Sequence, residues 1–161
     1  GIDCLKIEGR TKSHYYAART AQVYRQAIDD AVAGRPFRRT LLADLEGLAN
    51  RGYTEGFYRR HLPAERQNYA RGSSDNERQL FVGEATGAAL PAGWAEIEVK
   101  NRFAVGDELE LLTPAGNRRF RLEAMQDLEG NPLDLAPGAG WRVRIPLPVA
   151  DSSMGLLARF L

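Results

Sequence analysis

Hydrophobic and polar positions alternate in two different rhythms along this chain, and the rhythm changes near residue 80. At the start, Leu5 and Ile7 alternate with Lys6 and Glu8, the period of two that marks a short strand, and Gly9 ends the run. Thr11 or Ser13 then offers an N-cap for a helix in which Tyr16, Thr20, Val23, Tyr24, Ala27, Ile28 and Ala31 recur every three to four residues. Gly34 and Pro36 stop that helix. Thr40 opens a shorter one with Leu41, Leu42, Leu45, Leu48 and Ala49 on its apolar side, closing near Gly52.

From Arg51 to Asn76 the hydrophobic period disappears, and Tyr53, Phe57, Tyr58 and Tyr69 stand among Arg51, Arg59, Arg60, Arg66 and Arg71. This reads as a loop or linker. From Leu80 onward the pattern becomes short alternating runs. Ala95, Ile97 and Val99 face away from Glu96, Glu98 and Lys100; Leu109 and Leu111 from Glu108 and Glu110; Phe120, Leu122 and Ala124 from Arg119, Arg121 and Glu123. Trp141, Val143 and Ile145 against Arg142 and Arg144 complete the set. Turn makers lie between them, at Gly106-Asp107, at 114–117, at Gly130-Asn131 and at 137–140. About six strands with one-sided alternation predict a small antiparallel β-barrel, because closing a sheet removes its unpaired edges. The expected fold is therefore α+β: a helical segment at 1–50, an arginine/aromatic linker at 51–79 and a β-barrel at 80–161.

Composition narrows the function classes. With 161 residues, 43% hydrophobic and 27% charged, the chain is globular in type. No apolar run approaches the roughly 20 residues that span a bilayer, so no membrane role is expected. The single cysteine, Cys4, excludes an internal disulfide and fits a reducing, cytoplasmic setting. The net charge of +1 hides an asymmetry: residues 1–80 hold 14 Lys and Arg against 10 Asp and Glu, and the remainder 8 against 11. That distribution fits an anionic partner for the front half, or ordinary local variation. The first ten residues resemble neither a signal peptide nor a natural start, so the chain reads as an excised piece.

Most candidate chemistry has a plainer alternative. Gly138-Ala139-Gly140 opens a strand and reads as a turn, not a phosphate loop. Cys4 reads as a core thiol and His61 as a solvated side chain, with His14 the only histidine near enough in sequence to serve Cys4 as a base. The carboxylate pairs Asp29-Asp30, Glu96/Glu98 and Glu108/Glu110 read as solvated ladders before acid/base pairs. Lys6, Glu8 and Arg10 are a stronger set. Alternation places them on one side of a strand that ends just before a helix, where an arginine suits a carboxylate or phosphate; the alternative is a structural ion-pair cluster. Residues 51–71 are the second set. Aromatic faces stack on unpaired bases while guanidinium groups hold phosphates, although the same aromatics could simply pack the barrel against the helices.

The runs Lys6-Ile7-Glu8-Gly9-Arg10, residues 11–16 and residues 21–30 resemble a signature of the collagenase-like peptidase family, the thirty-second family of unknown mechanism. Residues 51–57, Gln67-Asn68-Tyr69, Phe81-Val82-Gly83 and residues 99–103 with 106–110 strengthen the resemblance, which covers nearly the whole chain. Within that family the motifs look closest to members that form 5-hydroxyuridine at the tRNA wobble position in connection with prephenate metabolism. The resemblance implies that the front of the chain is the last strand and helices of a larger (β/α) barrel, a catalytic barrel lying outside this chain. It implies that 80–161 is a C-terminal barrel similar in style to those of translation factors. It further implies an iron–sulfur cluster and a prephenate-derived co-substrate in the full-length protein, neither assigned to this portion. On this reading tRNA is the partner, with Arg51, Arg59 and Arg60 on phosphates and Tyr53, Phe57 and Tyr58 stacking or buttressing. Arg10 holds a small anionic co-substrate, oriented by Lys6 and Glu8, and no catalytic residue is expected in the chain itself. The rival readings are a substrate-binding module of a collagenase-like peptidase and a purely structural or dimerisation barrel.

Overall fold

Ser13 decides where the first helix begins. In the computed structural model, which describes residues 3–48, 79–88, 90–91 and 93–161, its hydroxyl accepts from the Tyr16 amide at 3.4 Å and caps helix α1 (His14–Val32). The helix ends through Gly34, whose φ of +67° is the left-handed geometry that favours glycine and whose amide donates to the Ala31 carbonyl at 3.1 Å. Helix α2 (Thr40–Glu46) packs against α1 and stops at Gly47, earlier than the apolar pattern predicts.

The buried face of α1 is not the expected one. Tyr15, Arg19, Thr20, Val23 and Asp30 are buried, whereas Tyr24 and Ile28 are partly exposed. The face is turned by about one residue because it includes two charged side chains, which a count of apolar positions passes over. On α2, Leu41 is buried as expected and Leu42 is exposed.

Residues 79–161 form a compact unit of their own, separate from residues 1–78. Six strands make one antiparallel sheet: β1 (Gln79–Ala85), β2 (Trp94–Val99), β4 (Glu108–Thr113), β5 (Gly116–Arg121), β7 (Arg142–Pro146) and β8 (Leu156–Phe160). Their spatial order is β5-β4-β8-β1-β2-β7, and β3 (Phe103–Ala104) pairs with β6 (Leu135–Ala136) beside them. The sheet curls into a half-barrel around a core that includes Val82, Ile97, Phe103, Leu109, Leu111, Leu122, Val143, Ile145 and Leu157. The α+β class and the six-stranded barrel-like sheet are thus as the sequence predicts.

Residues 122–126 lead from the end of edge strand β5 to the open side of edge strand β7. Leu122 exchanges hydrogen bonds with the turn before β4, Leu122 N to Asp107 O at 3.0 Å and Gly106 N to Leu122 O at 2.8 Å. Four residues later Gln126 exchanges two with β7, Gln126 N to Arg144 O at 2.9 Å and Arg144 N to Gln126 O at 2.8 Å. Backbone groups that an open sheet would leave unpaired are satisfied this way.

Two details depart from simple alternation. Trp141 stands beyond the last buried layer of β7, 50% exposed, instead of joining Val143 and Ile145 in the core. Glu110, expected in water, is buried on β4 and accepts from Gln79 Nε2 at 3.2 Å. The carboxylate stays inside because a polar partner meets it there.

Candidate functional site

The first candidate set lies in a segment that forms no strand. Residues 3–9 pair with no neighbouring strand among the described residues, and a strand without a ladder has no fixed partner for its amides and carbonyls. The period-two run of Leu5 and Ile7, expected to be the last strand of a larger barrel, thus has no partner strand among the described residues. Lys6 Nζ lies 3.1 Å from Glu8 Oε2, but the two side chains are 81% and 67% exposed, so this ion pair contributes little to stability. Arg10 is exposed in the turn that Lys12 N closes on the Gly9 carbonyl at 2.9 Å. Gly9 is needed here: a Cβ at that position would lie 2.7 Å from Cε1 of Tyr16, whose ring rests against it. The motif is therefore a turn, a cap and a ring packed in series, and it delivers Arg10 to the surface immediately before the start of α1.

Cys4 is exposed and not the core thiol expected of it. With Leu5, Ile7, Tyr24 and Ile28 it lines an open groove along α1. Among the described residues no group of three or more His, Cys, Asp and Glu could hold a metal ion. An iron–sulfur cluster takes cysteine thiolates in sets, and one exposed cysteine does not fit that requirement. The second candidate set, Arg51, Tyr53, Phe57, Tyr58, Arg59 and Arg60, lies outside the described residues, as does His61.

The acidic pairs behave differently from solvated ladders. Asp29 pairs with Arg25 one turn earlier, an ordinary surface contact. Its neighbour Asp30 is buried and receives Arg35 Nε at 2.7 Å and Arg38 Nε at 2.6 Å. These hydrogen bonds, first from Arg35 and then from Arg38, hold its carboxyl below the ordinary carboxylate value. The clasp ties the end of α1 to the start of α2. The signal for it was the run Arg35-Pro36-Phe37-Arg38-Arg39 directly after a helix stop, which apolar periodicity does not register.

In the barrel unit the family-like motif at 99–103 turns out to organise the sheet. Lys100 Nζ reaches Glu84 on β1 at 2.8 Å and Glu98 on β2 at 2.6 Å, and these two hydrogen bonds, Glu84 first, raise its pKa. Asn101 Nδ2 donates to the Phe81 carbonyl at 2.8 Å, and Phe103 is fully buried. The motif at 106–110 works similarly: Asp107 Oδ2 accepts from the Ala104 amide at 2.8 Å and from Arg159 Nη1 at 3.4 Å. Glu96 is likewise engaged, accepting from Arg142 Nη1 at 3.4 Å and Thr86 Oγ1 at 3.3 Å. These carboxylates brace strands and turns. No described helix is long and apolar enough to cross a membrane.

Comparison with known proteins places these features in a family context. Residues 77–159 match the peptidase family U32 C-terminal domain, and residues 1–68 match peptidase family U32. Over 148 residues the chain is 58% identical to the tRNA hydroxylation protein P of Escherichia coli, covering 92% of this chain and 32% of that protein. It is 55% identical, with the same coverage, to the tRNA hydroxylation protein P of Haemophilus influenzae. It is also 30% identical over 115 residues to the uncharacterized protease MJ0090 of Methanocaldococcus jannaschii, covering 69% of this chain and 28% of that protein. The chain spans about a third of the length of the curated relatives it matches.

Proposed function

This chain belongs to peptidase family U32, and from that premise we propose that it is the C-terminal portion of a tRNA wobble-uridine hydroxylation protein in which it helps to hold and position tRNA. One observation carries the reading: 58% identity to a tRNA hydroxylation protein, over 92% of the chain and so across both of its units. At that level the two proteins share side chains at the surface as well as in the core.

Within this reading the chain binds and orients while bonds are made and broken elsewhere in the protein. Arg51, Arg59 and Arg60 take phosphates; Tyr53, Phe57 and Tyr58 stack on bases or support the segment that does. Arg10, exposed ahead of α1, takes a small anionic co-substrate derived from prephenate, with Lys6 and Glu8 beside it. An iron–sulfur cluster, which the family resemblance implies, would take its cysteine ligands outside this chain, because ligation needs thiolates in sets and Cys4 is the single cysteine here. The protein works in the cytoplasm, where tRNA is modified.

Nucleoside analysis of tRNA from cells lacking the gene tests the reading as a whole: 5-hydroxyuridine-derived nucleosides should disappear, and their persistence would refute it. At the level of residues, the double variant Arg59→Ala/Arg60→Ala should bind tRNA more weakly. The slope of log affinity against log salt should flatten by roughly 1 to 2 as two phosphate contacts are lost. Unchanged binding removes these arginines from the interface. The similarity to an uncharacterized protease supports a second reading, a substrate-binding module of a peptidase, which the family resemblance makes collagenase-like. Gelatin cleavage by the full-length protein, with tRNA left unmodified, would favour it.

A further inference from the structure

On the outer face of the barrel unit, Leu90, Pro91, Trp94, Gln126 and Arg144 line a pocket of about 210 Å³. The ladder explains why they meet. Residues directly opposite in an antiparallel pair point to the same side of the sheet, so Trp94 shares a face with Pro146, and Glu96 with Arg144. Gln126, bridged to Arg144 by two backbone hydrogen bonds, brings its amide to the same place. Trp94 N donates to the Pro91 carbonyl at 3.1 Å, and Leu90 and Pro91 join Trp94 in the pocket lining.

Arg144 is the unusual member. Its Nε is buried without a hydrogen-bond partner, and no described carboxylate lies within ion-pair distance of its guanidinium. Glu96, opposite it in the register, is taken instead by Arg142 and Thr86. A half-buried cation with no anion among the described residues, beside a flat aromatic and a side-chain amide, is the combination by which single-stranded nucleic acid is held: a ring to stack on, a fork for phosphate, a donor and acceptor for a base edge. The volume is below the roughly 300–1,000 Å³ of sites for drug-sized ligands, which suits one planar ring system with its phosphate outside.

We propose that this pocket receives one unstacked nucleobase of tRNA, with Trp94 stacking on the base, Gln126 bonding its edge and Arg144 taking the adjoining phosphate. The inference rests on the tRNA reading above, and it adds a contact on the barrel unit to those in the 51–60 segment. A collagen-like peptide fits less well, since it brings no anion to Arg144.

The 161-residue chain tests this directly. Trp141→Phe leaves Trp94 as the sole tryptophan of two, so its fluorescence reports on the pocket alone. Unmodified tRNA should quench that fluorescence. Arg144→Gln and Trp94→Leu should each weaken tRNA binding about ten-fold at fixed salt, with thermal melts close to the parent's. If tRNA binds without quenching and Arg144→Gln binds as tightly as the parent, the pocket is not a base site while the tRNA reading stands. If the parent chain binds no tRNA, both fall. Quenching by a (Pro-Pro-Gly) repeat peptide and not by RNA also overturns the proposal and gives the pocket to a peptide. Should Trp94→Leu unfold, Arg144→Gln and the quenching experiment still decide.

Discussion

Asp30 shows how far two adjacent acids can diverge. Asp29 faces water with Arg25, whereas Asp30 is buried between two guanidinium groups and titrates below its ordinary value of 3.8. A carboxyl whose pKa falls on folding stabilises the fold above its unfolded value, and loses that contribution as pH drops through the lowered folded value. Asp30→Asn should therefore melt well below the parent at pH 7. The gap should persist to about pH 3.8 and then close as the parent's own carboxyl protonates. Parallel melting curves at every pH would mean that the clasp contributes nothing. Lys100 has the opposite sign: its raised pKa, due to Glu84 and Glu98, stabilises the sheet below its unfolded value near 10.5 and fades as pH rises through the folded one.

Among the elements, β1 carries the sharpest steric demand. Its pairing with β8 slips between Phe81 and Gly83, leaving Val82 as the extra residue of a bulge. The Val82 carbonyl then accepts from the amides of Lys100 and Asn101 at 2.8 and 3.2 Å, so the bulge anchors the turn after β2. Gly83 must be glycine, because a Cβ there would lie 2.5 Å from Ile97 Cγ2 and 3.0 Å from the Glu98 carbonyl. Gly83→Ala should cost about 1–3 kcal/mol, the range for overpacking a filled core. For a unit of this size that lowers the melting temperature by roughly 4–8 °C per kcal/mol. An unchanged melting temperature would mean that the β1–β2 spacing relaxes freely. Strands β2 and β7 were legible because one face meets the core and the other is more open, and both alternate without exception, whereas β4 is buried on both faces from Leu109 to Thr113. The bulge was not legible, since it depends on the register of a strand about 75 residues away. Nor was the face of α1, where the buried side is marked by Arg19 and Asp30 and not by the apolar stripe.

At the scale of the whole chain, what could be read from sequence divides where the hydrophobic rhythm changes. The barrel unit has a core drawn entirely from its own strands and connections, from Val82 to Leu157, so its local patterns already contained most of its fold. Residues 1–78 expose Leu5, Ile7, Phe37 and Leu42, and there the alternation of Leu5 and Ile7 predicted a strand that finds no partner among the described residues. The candidate site was legible only in part for a related reason: Arg10 and Lys6 stand close together in sequence, whereas Trp94, Gln126 and Arg144 meet through strand pairing that spans 50 residues. A self-contained core has a thermodynamic consequence. Residues 79–161 made alone should unfold in one cooperative transition, with equal calorimetric and van't Hoff enthalpies of roughly 60 kcal/mol, the value expected at about 0.7 kcal/mol per residue. Scanning calorimetry of that segment decides the matter. A broad transition with little heat would show that the sheet needs residues 1–78 to close its core, and that the boundary at Gln79 divides the chain's geometry but not its stability.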